Sequence, residues 1–220
     1  MARHDTPTIA VTTDVVLLCM HTGQLHILLV QRKYPPFAGH WALPGGFVDV
    51  GETLATAAQR ELYEETGVHD VAVVQIGAFG DPQRDPRRQV VSIAFVGLSP
   101  TLLPLRNSDE TPQVAWFPLH QHPSPLAFDH AHIVAHALKH LSQACISSPV
   151  VLQLLPAVFT LEQIQHIYHC ITDHVLDSHQ FQRAIIATGA VEPTHTPHHY
   201  QRAVHTASAV FCMPWPMWCQ

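Results

Sequence analysis

Three carboxylates are the first residues in this chain that call for a chemical explanation. Glu61, Glu64 and Glu65 stand at i, i+3 and i+4, so on a helix their side chains leave one face within a single turn. Negative charges at that spacing repel one another, and near a helix C-terminus the peptide dipole disfavours them further. A compensating cation removes both penalties. An all-oxygen set suits Mg²⁺ or Mn²⁺, which take a few carboxylates and leave other positions to water and substrate phosphate. The plainer alternative is a solvated acidic helix end.

The helix that must carry these groups is legible over 53–66. Thr53 is a good N-cap, Leu54, Ala58 and Leu62 recur at i, i+4 and i+8, and Gly67 is a natural stop. Strands are predicted over 8–19 and 25–32, joined at His21-Thr22-Gly23, and again over 71–79, 88–98 and 113–117. A second helix is predicted over 129–141. Runs of strands with single helices between them give a mixed α/β sandwich rather than a βαβ repeat.

The segment leading into the first helix adds a second, more specific signal. Gly46, five residues, Glu52, seven residues, then Arg60-Glu61-Leu62-Tyr63-Glu64-Glu65-Thr66-Gly67-Val68 satisfies the Nudix box at all nine specified positions over 23 residues. The chain therefore resembles the Nudix hydrolase superfamily, which implies the Nudix α/β/α sandwich. The resemblance implies that Gly45-Gly46 lets the backbone approach a metal and that Glu52 pairs with Arg60 to brace loop against helix. It makes Glu61, Glu64 and Glu65, with Gly46, the metal set for Mg²⁺ or Mn²⁺. Glu64 or Glu61 becomes the candidate base, and the implied reaction is hydrolysis of a nucleoside diphosphate linked to another moiety.

The segments 31–37, 41–48 and 79–88 are similar to the branch of that superfamily that handles ADP-ribose, which makes ADP-ribose the expected substrate and AMP and ribose 5-phosphate the products. Arg84, Arg87 and Arg88 form the largest cationic cluster, on a proline-punctuated loop. They are candidates for phosphate or ribose oxygens, with a solvated hairpin tip as the alternative. Trp41, with Tyr34 and Phe37, is a candidate to stack an adenine or else packs in the interior. Asp109-Glu110 occupies a place where many Nudix enzymes supply a further acid. His132, His136 and His140 share a helix face, a spacing that could hold zinc, or else reflect a general abundance of surface histidine.

The remainder has a different character. Ser147-Ser148-Pro149 reads as a linker, dividing the chain into 1–145, a smaller unit over 150–212 and an apolar tail over 213–220 that holds Trp215 and Trp218. Thr160 caps a helix with Leu161, Ile164, Ile167 and Tyr168 inward, a second helix over 177–188 turns Phe181, Ile185 and Ile186 inward, and 202–212 is weakly strand-like. Two helices and a β-ribbon outline a small winged helix-turn-helix-like domain. A Nudix domain followed by a winged helix resembles the regulators of NAD metabolism, whose segment corresponding to 178–184 is typically basic.

Here that segment keeps Arg183 and Gln180 as candidate DNA contacts and little other charge. The whole chain has 11 Lys+Arg against 17 Asp+Glu, a net charge of −6 and 19 His, which argues against a broad basic nucleic-acid surface. Five dispersed cysteines predict reduced thiols, and the apolar stretch 9–20, broken by Thr12, Thr13 and Asp14, predicts neither a signal peptide nor a membrane span. The expected setting is the cytoplasm and the expected assembly, by resemblance, a homodimer. The expected function is a Nudix pyrophosphohydrolase acting on ADP-ribose. The second reading is an ADP-ribose-responsive DNA-binding regulator, and a weaker third is a nucleotide-pool sanitising enzyme.

Overall fold

The computed structural model describes residues 8–203. The strand β1 (Ala10–His21) is buried without interruption from Thr13 to Cys19, the mark of a strand covered on both faces. It turns through Thr22 and Gly23, both at positive φ, into β2 (Gln24–Gln31), the geometry that the twist of a tight hairpin favours. The short strands β3 (Trp41–Ala42) and β4 (Gly45–Phe47) follow, then helix α1 (Leu54–Thr66), β5 (Val73–Phe79), β6 (Val90–Ser99), β7 (Val114–Pro118) and helix α2 (His130–Ser147). The sheet runs β3-β2-β1-β6-β5, with β4 paired to β1 and β7 to β2. β1 and β6 are parallel from Ala10↔Val90 to Cys19↔Ser99, while β2 and β4 pair with β1 antiparallel.

Alternation along β1 sorts the two faces. Val15 and Leu17 point with Leu28 and Phe95 toward Ala58 and Leu62 of α1. Val16 and Leu18 point with Ile27 and Val96 toward Ile133, Ala137 and Leu141 of α2. The result is the α/β/α sandwich that the box implies. The Thr53 hydroxyl accepts from the Thr56 amide, and Gly67 closes α1 in the left-handed conformation, its N–H on the Tyr63 carbonyl. The second helix outruns its expected end at 141 by six residues, to Ser147. Polar Ser142 and Gln143 hide the continuation, but Cys145, one turn past Leu141, stays fully buried.

Past Ser148-Pro149 the chain enters a short turn with Val151, Leu152 and Leu154 buried. The winged helix then comprises β8 (Val158–Phe159), α3 (Leu161–Thr172), α4 (Ser178–Ala187), β9 (Val191–Pro193) and β10 (Tyr200–Arg202), with sheet order β8-β10-β9. Thr160 and Gln163 form a reciprocal capping box on α3. Phe181 and Ile185 of α4 face inward as the period predicts, whereas Ile186 is 47% exposed; one step of 100° carries it off the face that Ile185 occupies. The strand expected over 202–212 is represented by Tyr200–Arg202, and its remainder and the tail 213–220 lie outside the described residues.

The cluster under α2 does not stop at the second unit. Leu141 and Cys145 share it with Leu152, Ile164, Tyr168, Phe181 and Ile185, and the Tyr168 hydroxyl donates to the Cys145 carbonyl at 3.2 Å. Among the described residues Cys19, Cys145 and Cys170 are free thiols, and no helix is long and apolar enough to cross a membrane.

Candidate active site

A cleft of about 360 Å³ opens over the N-terminal half of β1, where β4 pairs with it at Thr12–Asp14 and β2 pairs only further along, between α1, the β5–β6 connection and the start of α2. Its acidic side is built by α1. The Glu65 carboxylate is partly buried and accepts the Gly45 amide at 2.9 Å. Burial pushes its pKa up to about 8, the Gly45 hydrogen bond opposing and the charges of Glu61 and Asp14 assisting. Burial also raises Glu61, against the pull of Arg60. Glu61 lies against the glycine pair: a Cβ on Gly46 would fall 2.4–2.6 Å from its carboxylate, and one on Gly45 would fall 2.0 Å from the Thr13 carbonyl oxygen.

Arg60 ties this side together. Its Nη2 donates to Glu52 at 2.7 Å and to the Phe47 carbonyl at 3.0 Å, and its Nη1 donates to Glu61 at 2.8 Å and Glu64 at 3.0 Å. Hydrogen bonding to Glu52 leads the effects that hold the guanidinium charged, and the same contact holds Glu52 below the usual carboxylate range. The brace between loop and helix is therefore present as bonds. Glu64 is half-exposed, turned to Arg60, and outside the lining of the cleft. Glu110 does line it.

The opposite wall is cationic and aromatic. The Phe128 ring lies under the Arg32 guanidinium at 4.7 Å and near Arg87 at 5.9 Å, and Phe47 is flanked by Arg88 at 4.6 Å and Arg87 at 5.8 Å. Arg87 is fixed by two bonds to Asp85, at 3.0 and 2.7 Å. The floor is a buried polar set around Asp14, which accepts from Ser92 and lies 3.4 Å from Arg84 and 3.5 Å from His130. His130 Nδ1 accepts the Leu43 amide at 2.8 Å, which leaves Nε2 to carry the proton toward Asp14.

Burial pushes the His130 pKa down. The unfolded chain, with histidine near 6.5, then binds the proton more readily, so stability falls as pH drops below about 6.5. Replacing His130 by Asn keeps an acceptor for the Leu43 amide and removes the titration. The loss in thermal midpoint between about pH 7.5 and about pH 5.5 should be smaller in His130→Asn than in the wild type; equal losses would refute the assignment.

Residues 9–137 match the model of the NUDIX domain family. The chain belongs to the Nudix family. Residues 151–209 match the NrtR DNA-binding winged helix domain. The chain is 33% identical over 195 residues, 87% of its length and 78% of the relative's, to the ADPR responsive transcriptional repressor NtrR of Acinetobacter baylyi. The Nudix part alone is 44% identical over 108 residues, 49% of this chain and 63% of the relative, to the ADP-ribose pyrophosphatase of Methanocaldococcus jannaschii. Among solved structures, a MutT/nudix family protein from Enterococcus faecalis superposes with a TM-score of 0.84 at 30% identity, covering 92% of this chain and 90% of that one. NrtR from Shewanella oneidensis superposes at 0.77 and 31%, covering 91% and 97%.

Against this Nudix frame, Glu52, Arg60, Glu61, Glu65, Gly46 and Arg87 converge on the cleft and its brace. One sequence expectation needs correction and another is qualified. Arg84 lines the cleft, but its side chain is 4% exposed and its guanidinium is held by Asp129 and Asp14. Trp41 packs edge-on against Phe117 at 4.7 Å on the α2 side of the sheet, outside the lining of the cleft. Phe37 likewise packs on Phe128, while Tyr34 lines the mouth. His132 and His136 stand edge-on to Phe79, with His136 Nε2 on the Ile76 carbonyl. Among the described residues no three His, Cys, Asp or Glu gather closely enough to hold a metal ion as they stand, the Glu triad included: Glu61 and Glu64 share Arg60 Nη1, while Glu65 accepts the Gly45 amide. Arg183 and Gln180 are exposed on α4. Arg32, Phe128, Asp14 and His130 are among the cleft residues not singled out as site residues from the sequence, although Arg32 falls within the segment 31–37; an aspartate inside the apolar run of β1 was a further available signal.

Proposed function

We propose that this chain is a divalent-metal-dependent Nudix pyrophosphohydrolase that splits ADP-ribose into AMP and ribose 5-phosphate. The observation that carries it is the pairing of a partly buried acidic wall, Glu61 and Glu65, with a cationic wall, Arg32 and Arg87, across a cleft of about 360 Å³. The Nudix relative that is an ADP-ribose pyrophosphatase supports the choice of substrate.

Hard, all-oxygen donors suit Mg²⁺ or Mn²⁺, and the burial that raises both Glu61 and Glu65 is the condition a cation relieves. Glu61, Glu64, Glu65 and the Gly46 backbone are the residues to hold it. When bound, the metal neutralises phosphate charge and lowers the pKa of a bound water. Arg60 and Glu52 hold the loop against α1, Glu64 or Glu61 takes the proton of the attacking water, and Arg87 and Arg88 orient phosphate or ribose oxygens. Release of AMP from ADP-ribose should require Mg²⁺ or Mn²⁺ and stop on chelation; turnover that persists in excess EDTA would overturn the assignment.

A second reading is favoured by the winged helix and by the repressor relative: DNA binding governed by ADP-ribose, with Arg183 and Gln180 of each copy of a homodimer facing the duplex. Arg202 is not available to that face, because its Nη1 donates to the Leu152 and Leu155 carbonyls at 2.8 and 3.0 Å. A gel-shift titration in salt should therefore give a shallow slope, about −2 in log K against log salt for a dimer. Turnover with no shift at low salt would end this reading.

A further inference from the structure

Asp129 occupies the N-cap of α2 yet makes no capping hydrogen bond. Its carboxylate is committed to Arg84, accepting from Nε at 3.0 Å and from Nη2 at 2.7 Å. This two-pronged geometry is the most directional ion pair that side chains form. Arg84 belongs to the β5–β6 connection, which three residues later places Arg87 on the wall of the cleft. Phe128, immediately before Asp129, lines the cleft and sits at φ +52 with Arg32 and Arg87 on its ring. Both sides of the Arg84–Asp129 pair thus adjoin groups that a bound nucleotide would touch.

The far end of α2 lies elsewhere. Eighteen residues carry it roughly 27 Å, at ~1.5 Å per residue, from Asp129 to Ser147. There Leu141 and Cys145 are fully buried among Ile164 and Tyr168 of α3 and Phe181 of α4. Close-packed interiors do not deform continuously, so a displacement at one end of such a helix is passed on as a shift of the whole element.

We infer that the Arg84–Asp129 pair is a positioning device that couples occupancy of the cleft, through α2 acting as a rod, to the placement of α3 and α4. This inference rests on the second reading above. A ligand that draws on Arg87 and Phe128 moves the β5–β6 connection and the start of α2 together, because the pair locks one to the other. A pair with only a structural role would alter stability and leave the coupling intact.

The test uses the full chain and the methylene-bridged analogue of ADP-ribose, which cannot be hydrolysed at the pyrophosphate. Asp129→Ser releases Arg84 while supplying a residue that caps helices well; Asp129→Asn, closer in shape, serves if that variant does not fold. Analogue affinity is measured by calorimetry, backbone amide exchange over 161–187 is compared with and without analogue, and affinity is measured for a duplex selected by the wild type from a random pool. In the wild type the analogue should change exchange in α3 and α4 and shift duplex affinity by about tenfold. In Asp129→Ser the analogue should bind within about threefold of wild type, while the exchange response over 161–187 disappears and the duplex shift falls below about twofold.

Undiminished transmission in the variant, whatever its thermal midpoint, overturns the coupling. So does a wild type that binds the analogue with no response beyond residue 147. Failure to select any duplex would remove the DNA reading alone, since the exchange measurement still decides the coupling. Failure of the wild type to bind the analogue would remove the ligand reading and the coupling with it.

Discussion

Glu65→Gln should lower kcat for ADP-ribose by about 10²–10³-fold, the usual cost of losing one electrostatic partner of the reacting groups, with the thermal midpoint unchanged or raised. Glu65 is partly buried, with the Gly45 N–H as its hydrogen-bond donor and with Glu61 and Asp14 as like-charged neighbours. The amide keeps the side chain's shape and an oxygen for Gly45. It discards a charge that, in the protein alone, costs stability. A residue kept for packing would show the opposite pattern, a loss of stability at constant turnover. Steady-state rates at saturating Mg²⁺ and a melting curve for each protein distinguish the two. Wild-type turnover in the variant would sink the metal assignment.

Gly46→Ala is expected to cost a similar amount by a different route. The new methyl would lie 2.4–2.6 Å from the Glu61 carboxylate, which cannot remain where it is. Glu61 is 15% exposed and bonded to Arg60 at 2.8 Å, so its retreat breaks that contact or carries Arg60 with it. A displacement of about 1 Å in a positioned group costs about 10²-fold in rate. The backbone at Gly46 lies outside the left-handed region, so alanine adds no conformational strain and the fold should survive. Activity close to wild type would show that Glu61 need not occupy the position it holds beside β4.

The two variants probe the portion of the site that was legible in the sequence, and it was legible for a local reason. Thr53, the three glutamates and Gly67 lie within one helix, so spacing alone sets their shared face, and the capping bonds appear where the residue types placed them. Trp41 shows where that reasoning ends. In a strand of two residues the register decides the face, and pairing Trp41 with Gln31 and Ala42 with Val30 turns Ala42 to the cleft and the indole to the far side. Arg84, Arg87 and Arg88 are alike in sequence. What separates them is Asp129, 45 residues away, and Asp14, 70 residues away, partners that no local pattern reports. Asp14 itself was visible as a charge inside an apolar run, but its role depends on Ser92, Arg84 and His130 arriving from three other elements.

The interior beneath α2 has a consequence for how this architecture changes over time. Leu141 and Cys145 contribute to the packing of both the sandwich and the winged helix, so the two halves are not modules strung on a tether. A winged helix from another protein, grafted at Ser148, would meet a surface cut to fit Tyr168 and Phe181. Divergence in one half must be answered by substitutions in the other, so the Nudix sandwich and the winged helix are expected to change together.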